Sequence, residues 1–218
     1  MSAARDEILS SIRRSLKRTG PLEETLQRAL DARLAHPEVH IQPTVEGDLA
    51  GRFIAKLEAV AGTATRVKDV KQVAAAVTDY LAVPSLPPKV VMGTQPLFTE
   101  IEWPESLSID RRAAQRDDQV AVTGAFAAVA ETGPLVLLSG PESPTTLNFL
   151  PDVHIVVLLR AQIVTRIEDV WARLRSEVGA MPRTVNLITG PSRTADIEQT
   201  MQLGAHGPRS LHVILVES

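Results

Sequence analysis

Residues Val185 to Val216 read VNLITGPSRTADIEQTMQLGAHGPRSLHVILV. The runs at the two ends, Val185 to Thr189 and Leu211 to Val216, are short and almost free of polar residues, the pattern of strands covered on both faces in a mostly parallel sheet. Between them, Gly190-Pro191-Ser192-Arg193-Thr194 reads as a loop, residues Thr194 to Gly204 as a helix, and Gly204 to Pro208 as a tight turn. Strand, loop, helix, turn and strand form the repeating unit of an α/β domain.

The same alternation extends toward the N-terminus. Apolar runs at Thr63 to Val67, Lys89 to Met92, Leu107 to Asp110, Pro134 to Leu138 and His154 to Leu159 predict further strands. Helical spacing places Phe53, Leu57 and Val60 on one face, Val70, Val73, Ala74, Val77 and Leu81 on another, and Ile167, Val170, Trp171, Leu174 and Val178 on a third. The sequence therefore predicts a three-layer α/β domain with a mostly parallel sheet and helices covering both faces. Ahead of it, Ile8, Leu9, Ile12 and Leu16 make one amphipathic helix, and Leu22, Leu26, Leu30 and Leu34 make a narrow stripe on a second. Residues 1–40 are read as an N-terminal helical arm and residues 41–218 as the α/β domain. The arm packs on its own domain or meets a partner or a second copy of the chain; the pattern leaves these open.

Composition removes several function classes. At 218 residues, 44% hydrophobic and 22% charged, the chain matches an ordinary globular protein. A net charge of −3 gives no broad positive field, which argues against nucleic acid and anionic membrane surfaces as partners. With no cysteine, the chain offers no thiolate for an iron–sulfur cluster or structural zinc. The histidines show no metal-ligand spacing, so no metal is expected. The opening MSAARDEILSSIRRSL lacks an apolar run of signal-peptide type, and the apolar region Val120 to Leu138 is broken by Gly124, Glu131, Gly133 and Pro134. No membrane span and a cytoplasmic location are expected.

Chemistry gathers in the loop quoted first. Ser192 or Thr194 would cap the expected helix, Asp196 and Glu198 would complement its positive end, and Arg193 adds a fixed cation. Such an end, above all at the carboxyl edge of a parallel sheet, attracts carboxylate or phosphate, which makes a small anion the expected ligand, with Gly190 allowing close approach. A well-capped helix without a ligand fits the same residues. His206, flanked by Gly204 and Gly207-Pro208, is the leading candidate acid or base; a turn histidine bonding a carbonyl is the alternative. Glu131 and Thr132 precede Gly133 and an apolar strand, where the carboxylate serves as a base or ligand anchor, or only as an exposed turn residue. His154 opens an apolar strand and reads as a satisfied core or edge residue more readily than as a ligand.

Several segments carry a resemblance: Ala130-Glu131-Thr132-Gly133, Leu150-Pro151-Asp152-Val153-His154-Ile155, Thr189 to Glu198, and Gly204-Ala205-His206-Gly207-Pro208-Arg209. Together they resemble the lactate-utilisation protein C family, built on a LUD domain. The resemblance implies a fold similar to the ribose-phosphate isomerase, coenzyme A transferase and formyltetrahydrofolate cyclo-ligase group. It also implies a part in oxidising L-lactate to pyruvate beside companion subunits that carry iron–sulfur clusters, with no cofactor in this chain. The chain departs from the family pattern at Pro134, where members often carry threonine, and at Thr145-Thr146-Leu147-Asn148, where members often carry an arginine.

Three functions follow as expectations. One is a non-cluster subunit of a lactate-oxidising system, with Arg193 receiving a carboxylate and His206 assisting proton movement. Another is a stand-alone enzyme or binding protein for a phosphorylated or nucleotide-bearing small molecule. The third is a scaffold acting through the N-terminal helices.

Overall fold

The computed structural model describes residues 3–18, 20–36, 41–83, 86–194, 202–204 and 206–218. It divides into two compact units, Met1–Thr44 and Val45–Ser218. The first holds α1 (Ala3–Ser15) and α2 (Glu24–Ala35), neither of which buries a side chain. No helix among the described residues is long and apolar enough to cross a membrane.

The second unit runs α3 (Leu49–Glu58), β1 (Thr63–Val67), α4 (Val73–Ala82), β2 (Lys89–Met92), β3 (Ser108–Arg111), β4 (Val120–Gly124), β5 (Ala127–Val129), β6 (Leu135–Leu138), α5 (Thr146–Phe149), β7 (Val153–Leu159), β8 (Ile163–Val164), α6 (Ile167–Glu177), β9 (Val185–Ile188), β10 (Arg193–Thr194), β11 (Gln202–Leu203) and β12 (Ser210–Val216). The main sheet has the order β1-β12-β7-β4-β2-β3 and is parallel throughout. A second sheet, β8-β5-β6-β9, pairs β6 antiparallel with both β5 and β9.

Alternation along each strand sorts the core into faces. Val153, Ile155 and Val157 of β7 and Ile214 and Val216 of β12 join Val73, Val77 and Leu81 of α4 on one side of the main sheet. Val156 and Leu158, with Leu211, Val213 and Leu215, meet Phe53 and Leu57 of α3 and Leu135 and Leu137 of β6 on the other. Beyond the small sheet, Val170 of α6 closes against Ala127, Val129 and Val136. The start of α3 is fixed by Asp48, whose carboxylate accepts from the backbone N–H groups of Ala50 and Gly51 at 3.2 and 3.1 Å.

Two expectations are corrected. Helices were expected to cover both faces of one sheet, but much of one face is covered by the small sheet, to which the runs at Pro134 to Leu138 and Val185 to Thr189 belong. Both runs are apolar enough for a parallel core. The connection between β5 and β6 is a tight turn, however, and only antiparallel strands can be joined so. β4 and β5 were hidden in the alanine-rich stretch from Val120 to Val129, which shows no period of two because every residue of both strands is buried. Gly124 ends β4, and Ala125 then donates to Val157 O while Phe126 donates to Val136 O, so the chain passes from one sheet to the other within three residues.

The helix expected over Thr194 to Gly204 does not form at its described ends. Arg193 and Thr194 pair antiparallel with Leu203 and Gln202. Gly204 follows with φ +79°, a left-handed conformation that suits glycine and does not continue a helix. Its missing Cβ also makes room for the Arg209 side chain, whose Cγ would stand 2.0 Å away. The rest of the expected helix lies outside the described residues.

Two histidines stand on opposite faces of the main sheet. His154 is fully buried, with Nε2 2.7 Å from Thr123 Oγ1. His212 stacks on Tyr80 with ring centroids 4.2 Å apart, and its Nδ1 lies 2.7 Å from Thr63 Oγ1. Burial pushes His154 down from 6.5 to about 3 and His212 to about 4. Both are neutral in the folded protein.

The core makes two predictions. Phe53→Ala is expected to destabilise the domain by about 3–5 kcal/mol in urea unfolding, against less than about 0.5 kcal/mol for Arg52→Ala on the exposed side of α3. The histidines, whose folded pKa values lie below the unfolded one, contribute stability that is complete above about pH 6.5 and is lost as pH falls toward 4. Unfolding free energy should therefore fall by up to about 1.4 kcal/mol per pH unit for each histidine between about pH 6.5 and 4.5. A flat profile over that range would contradict this account of the core.

Candidate functional site

The loop after β9 is held by backbone contacts. Gly190 packs so close to the end of α3 that a Cβ would stand 2.8 Å from Val60 Cγ2, and Pro191 is buried. Ser192 donates its N–H to Pro208 O at 2.8 Å and accepts at its own carbonyl from Gly204 N at 2.9 Å. The two glycine-containing segments, Gly190 to Arg193 and Gly204 to Pro208, are thereby laid side by side, with Gly207 so near that a Cβ would lie 3.3 Å from Ser192 Cβ. This lacing brings Arg193 and His206 to the wall of one cavity.

The cavity measures about 280 Å³, at the small end of the range for ligand sites. Its walls come from α5 through Asn148 and Phe149, the start of β7 through His154, the end of β9 through Leu187 and Ile188, the Thr189 to Arg193 loop, the His206 to Pro208 turn, and Leu211. Among the described lining residues, Arg193 is the one arginine or lysine and no carboxylate is present. Its Nη2 donates to Val60 O at 2.6 Å, which fixes the guanidinium while leaving other N–H groups available. The nearby Arg209 is occupied instead by Asp152, at 3.4 Å.

Two buried polar residues of the lining were not expected as site residues. Asn148 is 1% exposed and His154 0%. Both amide atoms of Asn148 and Nδ1 of His154 have no hydrogen-bond partner among the described residues. The sequence signal for His154 was present in the Leu150 to Ile155 segment, but its apolar neighbours made it look like a satisfied core residue. The stretch Thr145 to Asn148, where the resemblance led to an expected arginine, contributes an uncharged amide to this wall instead.

Of the residues singled out from sequence, Gly190, Ser192, Arg193 and His206 line the cavity. Glu131 and Thr132 stand in the turn between β5 and β6 and are not among the lining residues. Thr194 pairs in β10 next to the lining, while Asp196 and Glu198 lie outside the described residues. A helix N-terminus at Ser192 or Thr194, the expected source of anion affinity, is replaced by the β10–β11 pairing. The expected carboxyl edge is corrected as well. The cavity sits at the amino ends of β7 and β12, because the loop leaves β9 of the small sheet and not a strand of the parallel one. No group of three or more His, Cys, Asp or Glu residues suited to a metal occurs among the described residues.

Comparisons with known proteins agree with this architecture. A crystal structure of a DUF162 family protein from Deinococcus radiodurans matches 80% of this chain and 99% of its own, with a TM-score of 0.57 and 19% identity, a likeness of fold. An uncharacterized protein of Neisseria meningitidis serogroup B is 38% identical over 94 residues, 43% of this chain and 40% of its own length. Lactate utilization protein C of Geobacillus thermodenitrificans is 31% identical over 159 residues, 67% of this chain and 66% of its own. The matched stretch thus spans less than two thirds of either relative. The LUD domain family model matches residues 103–216, which run from Trp103 through β12 and include every residue that lines the cavity. The chain belongs to the LUD domain family.

Proposed function

We propose that this chain serves lactate utilisation as a non-cluster component of a system that oxidises L-lactate to pyruvate, and that the cavity beside Arg193 receives a small carboxylate or phosphate. The observation that carries the reading is the lining itself, with one fixed guanidinium, no carboxylate among the described residues, and its position on the Gly190 to Arg193 loop. A guanidinium already anchored by a backbone carbonyl loses little further freedom when it takes a carboxylate. The relatives named lactate utilization protein C supply the pathway context.

Oxidation of lactate to pyruvate releases two electrons and two protons. His206, exposed on the cavity wall, is placed to move a proton between ligand and water. With no cysteine, this chain has no thiolate to hold an iron–sulfur cluster, so the electrons belong to companion subunits that carry such clusters.

Co-purification of the tagged chain from its native host, followed by lactate-dependent dye reduction, tests the proposal. Cluster-bearing partners and lactate activity are expected. Arg193→Ala should lower activity at limiting lactate by about 10- to 100-fold, the worth of one charge-assisted hydrogen bond. A solitary, inactive protein stabilised by phosphorylated metabolites instead would favour a stand-alone enzyme on that substrate class.

A second reading rests on α1 and α2, which bury no side chain and leave Ile8, Ile12, Leu16, Leu26 and Leu34 exposed. If these helices scaffold an assembly, deleting residues 1–36 should release the partners. Assembly that survives the deletion would remove this reading.

A further inference from the structure

The two edges of the main sheet differ. β3 ends it on one side with Asp110 and Arg111, and Asp110 is tied to Lys89 and Arg112 at 3.1 and 3.0 Å, charges of the kind that keep an edge strand from pairing. β1 ends it on the other side and pairs with β12 alone among the described strands. Its sequence, Thr-Ala-Thr-Arg-Val, contains no proline, and Thr63, Thr65 and Arg66 are exposed. Beside this edge runs a mostly apolar groove of about 460 Å³, with Thr65 and Val67 of β1 on one side and α4, from its N-cap Gln72 to Val83, on the other. Val83 at its rim is 87% exposed.

The helical wall of this groove is self-complementary. Gln72 and Asp79 both line it, two helical turns apart, with Ala75 and Ala76 midway between them. Gln72 Oε1 accepts from Lys68 N at 2.8 Å, which leaves its N–H groups available, and Asp79 makes no hydrogen bond or ion pair among the described residues. A two-fold axis through the alanines, with a second α4 running antiparallel, sets each Gln72 against the partner's Asp79, so that donor meets acceptor twice. The same axis serves the strand. Lys68, just past β1, bonds Gln72, and Thr63 is linked through His212 to Tyr80, so Thr65 falls level with Ala75 and Ala76. Antiparallel pairing of β1 about Thr65 then places Thr65 opposite the partner's Thr65 and Arg66 opposite the partner's Ala64, and no like charges meet. Strands lie about 4.8 Å apart, and α4 packs over both β12 and β1, which puts the two α4 helices about 10 Å apart, an ordinary packing distance.

We propose that β1 and α4 form an isologous interface between two copies of this chain, which joins their main sheets into one of twelve strands, six from each copy. A second copy answers three features together: the open strand edge, the polar groups of Gln72 and Asp79, and the apolar rim at Val83. A strand from an unrelated protein would cover the edge but has no reason to match the spacing of Gln72 and Asp79 about the alanines.

The test is sedimentation equilibrium of the full chain over a range of concentrations, with circular dichroism to show that each variant is folded. The wild type should sediment at twice the mass of one chain. Thr65→Lys and Ala75→Arg, both at exposed positions, bring like charges together at the two-fold axis and should raise the dissociation constant by at least about 30-fold, the loss of a central contact. Asp79→Lys should raise it by about tenfold, because one substitution removes two symmetric hydrogen bonds. The double variant Gln72→Glu with Asp79→Lys should return it to within about threefold of the wild type. Within one chain those two side chains are about 10 Å apart along the helix, so the rescue reads the contact between copies.

A wild-type chain that stays monomeric at every concentration would overturn the interface. A dimer left intact by both Thr65→Lys and Ala75→Arg would place the contact elsewhere, for instance on the N-terminal helices, and would overturn it equally. Folded double variants that fail to regain the affinity lost in Asp79→Lys would overturn the antiparallel pairing of α4 about the alanines.

Discussion

The pairing of β12 with a strand on each side is the constraint on which the remaining structure depends. Its residues match Val153 to Leu159 along one edge and Thr63 to Val67 along the other, so the last strand of the chain joins the first strand of the domain to the centre of the main sheet. Both faces are then committed. Leu211, Val213 and Leu215 close over α3 and the small sheet, while Ile214 and Val216 close over α4. A shift of one residue would exchange these sets and carry His212 away from Tyr80 and Thr63.

That register also builds the cavity. Pairing of Leu211 with His154 sets the amino ends of β12 and β7 side by side, and the Gly204 to Pro208 turn that feeds β12 is tied to the loop after β9 through Ser192. The opposite edge of the sheet is closed by charge. Glu217 meets Arg160 and Arg66 at 2.6 and 2.9 Å, Arg160 also reaches Asp48 at 3.2 Å, and these arginines hold the Glu217 carboxyl below its usual range. The cavity end carries a surface ion pair too, Arg209 with Asp152, but near it stands Arg193, a cation without a carboxylate partner among the described residues.

Much of the scaffold was readable because burial imposes a pattern on the chain. The strands at Thr63 to Val67, Lys89 to Met92, His154 to Leu159 and Leu211 to Val216 are short apolar runs, and the helices carrying Phe53, Val77 and Leu174 show one apolar stripe each. β4 and β5 were not readable, since alanine favours no strand and complete burial erases alternation. The stretch expected as a helix over Thr194 to Gly204 was misread at its described ends because Ser, Thr and Asp before a mixed apolar segment also mark helix starts.

The sequence by itself determined the alternating α/β class, the absence of thiolate chemistry and the concentration of motif residues Gly190, Ser192, Arg193 and His206 in one stretch of the chain, because composition and local periodicity are properties of the chain alone. Only the tertiary structure decided that a small sheet takes over one face, that the cavity opens at the amino edge of the main sheet, that Arg193 and His206 share its wall, and that Asn148 and His154 reach the same cavity with atoms that have no partner among the described residues. Those outcomes depend on which strands pair and in which register, and pairing between residues tens of positions apart leaves no mark on the local spacing of either partner.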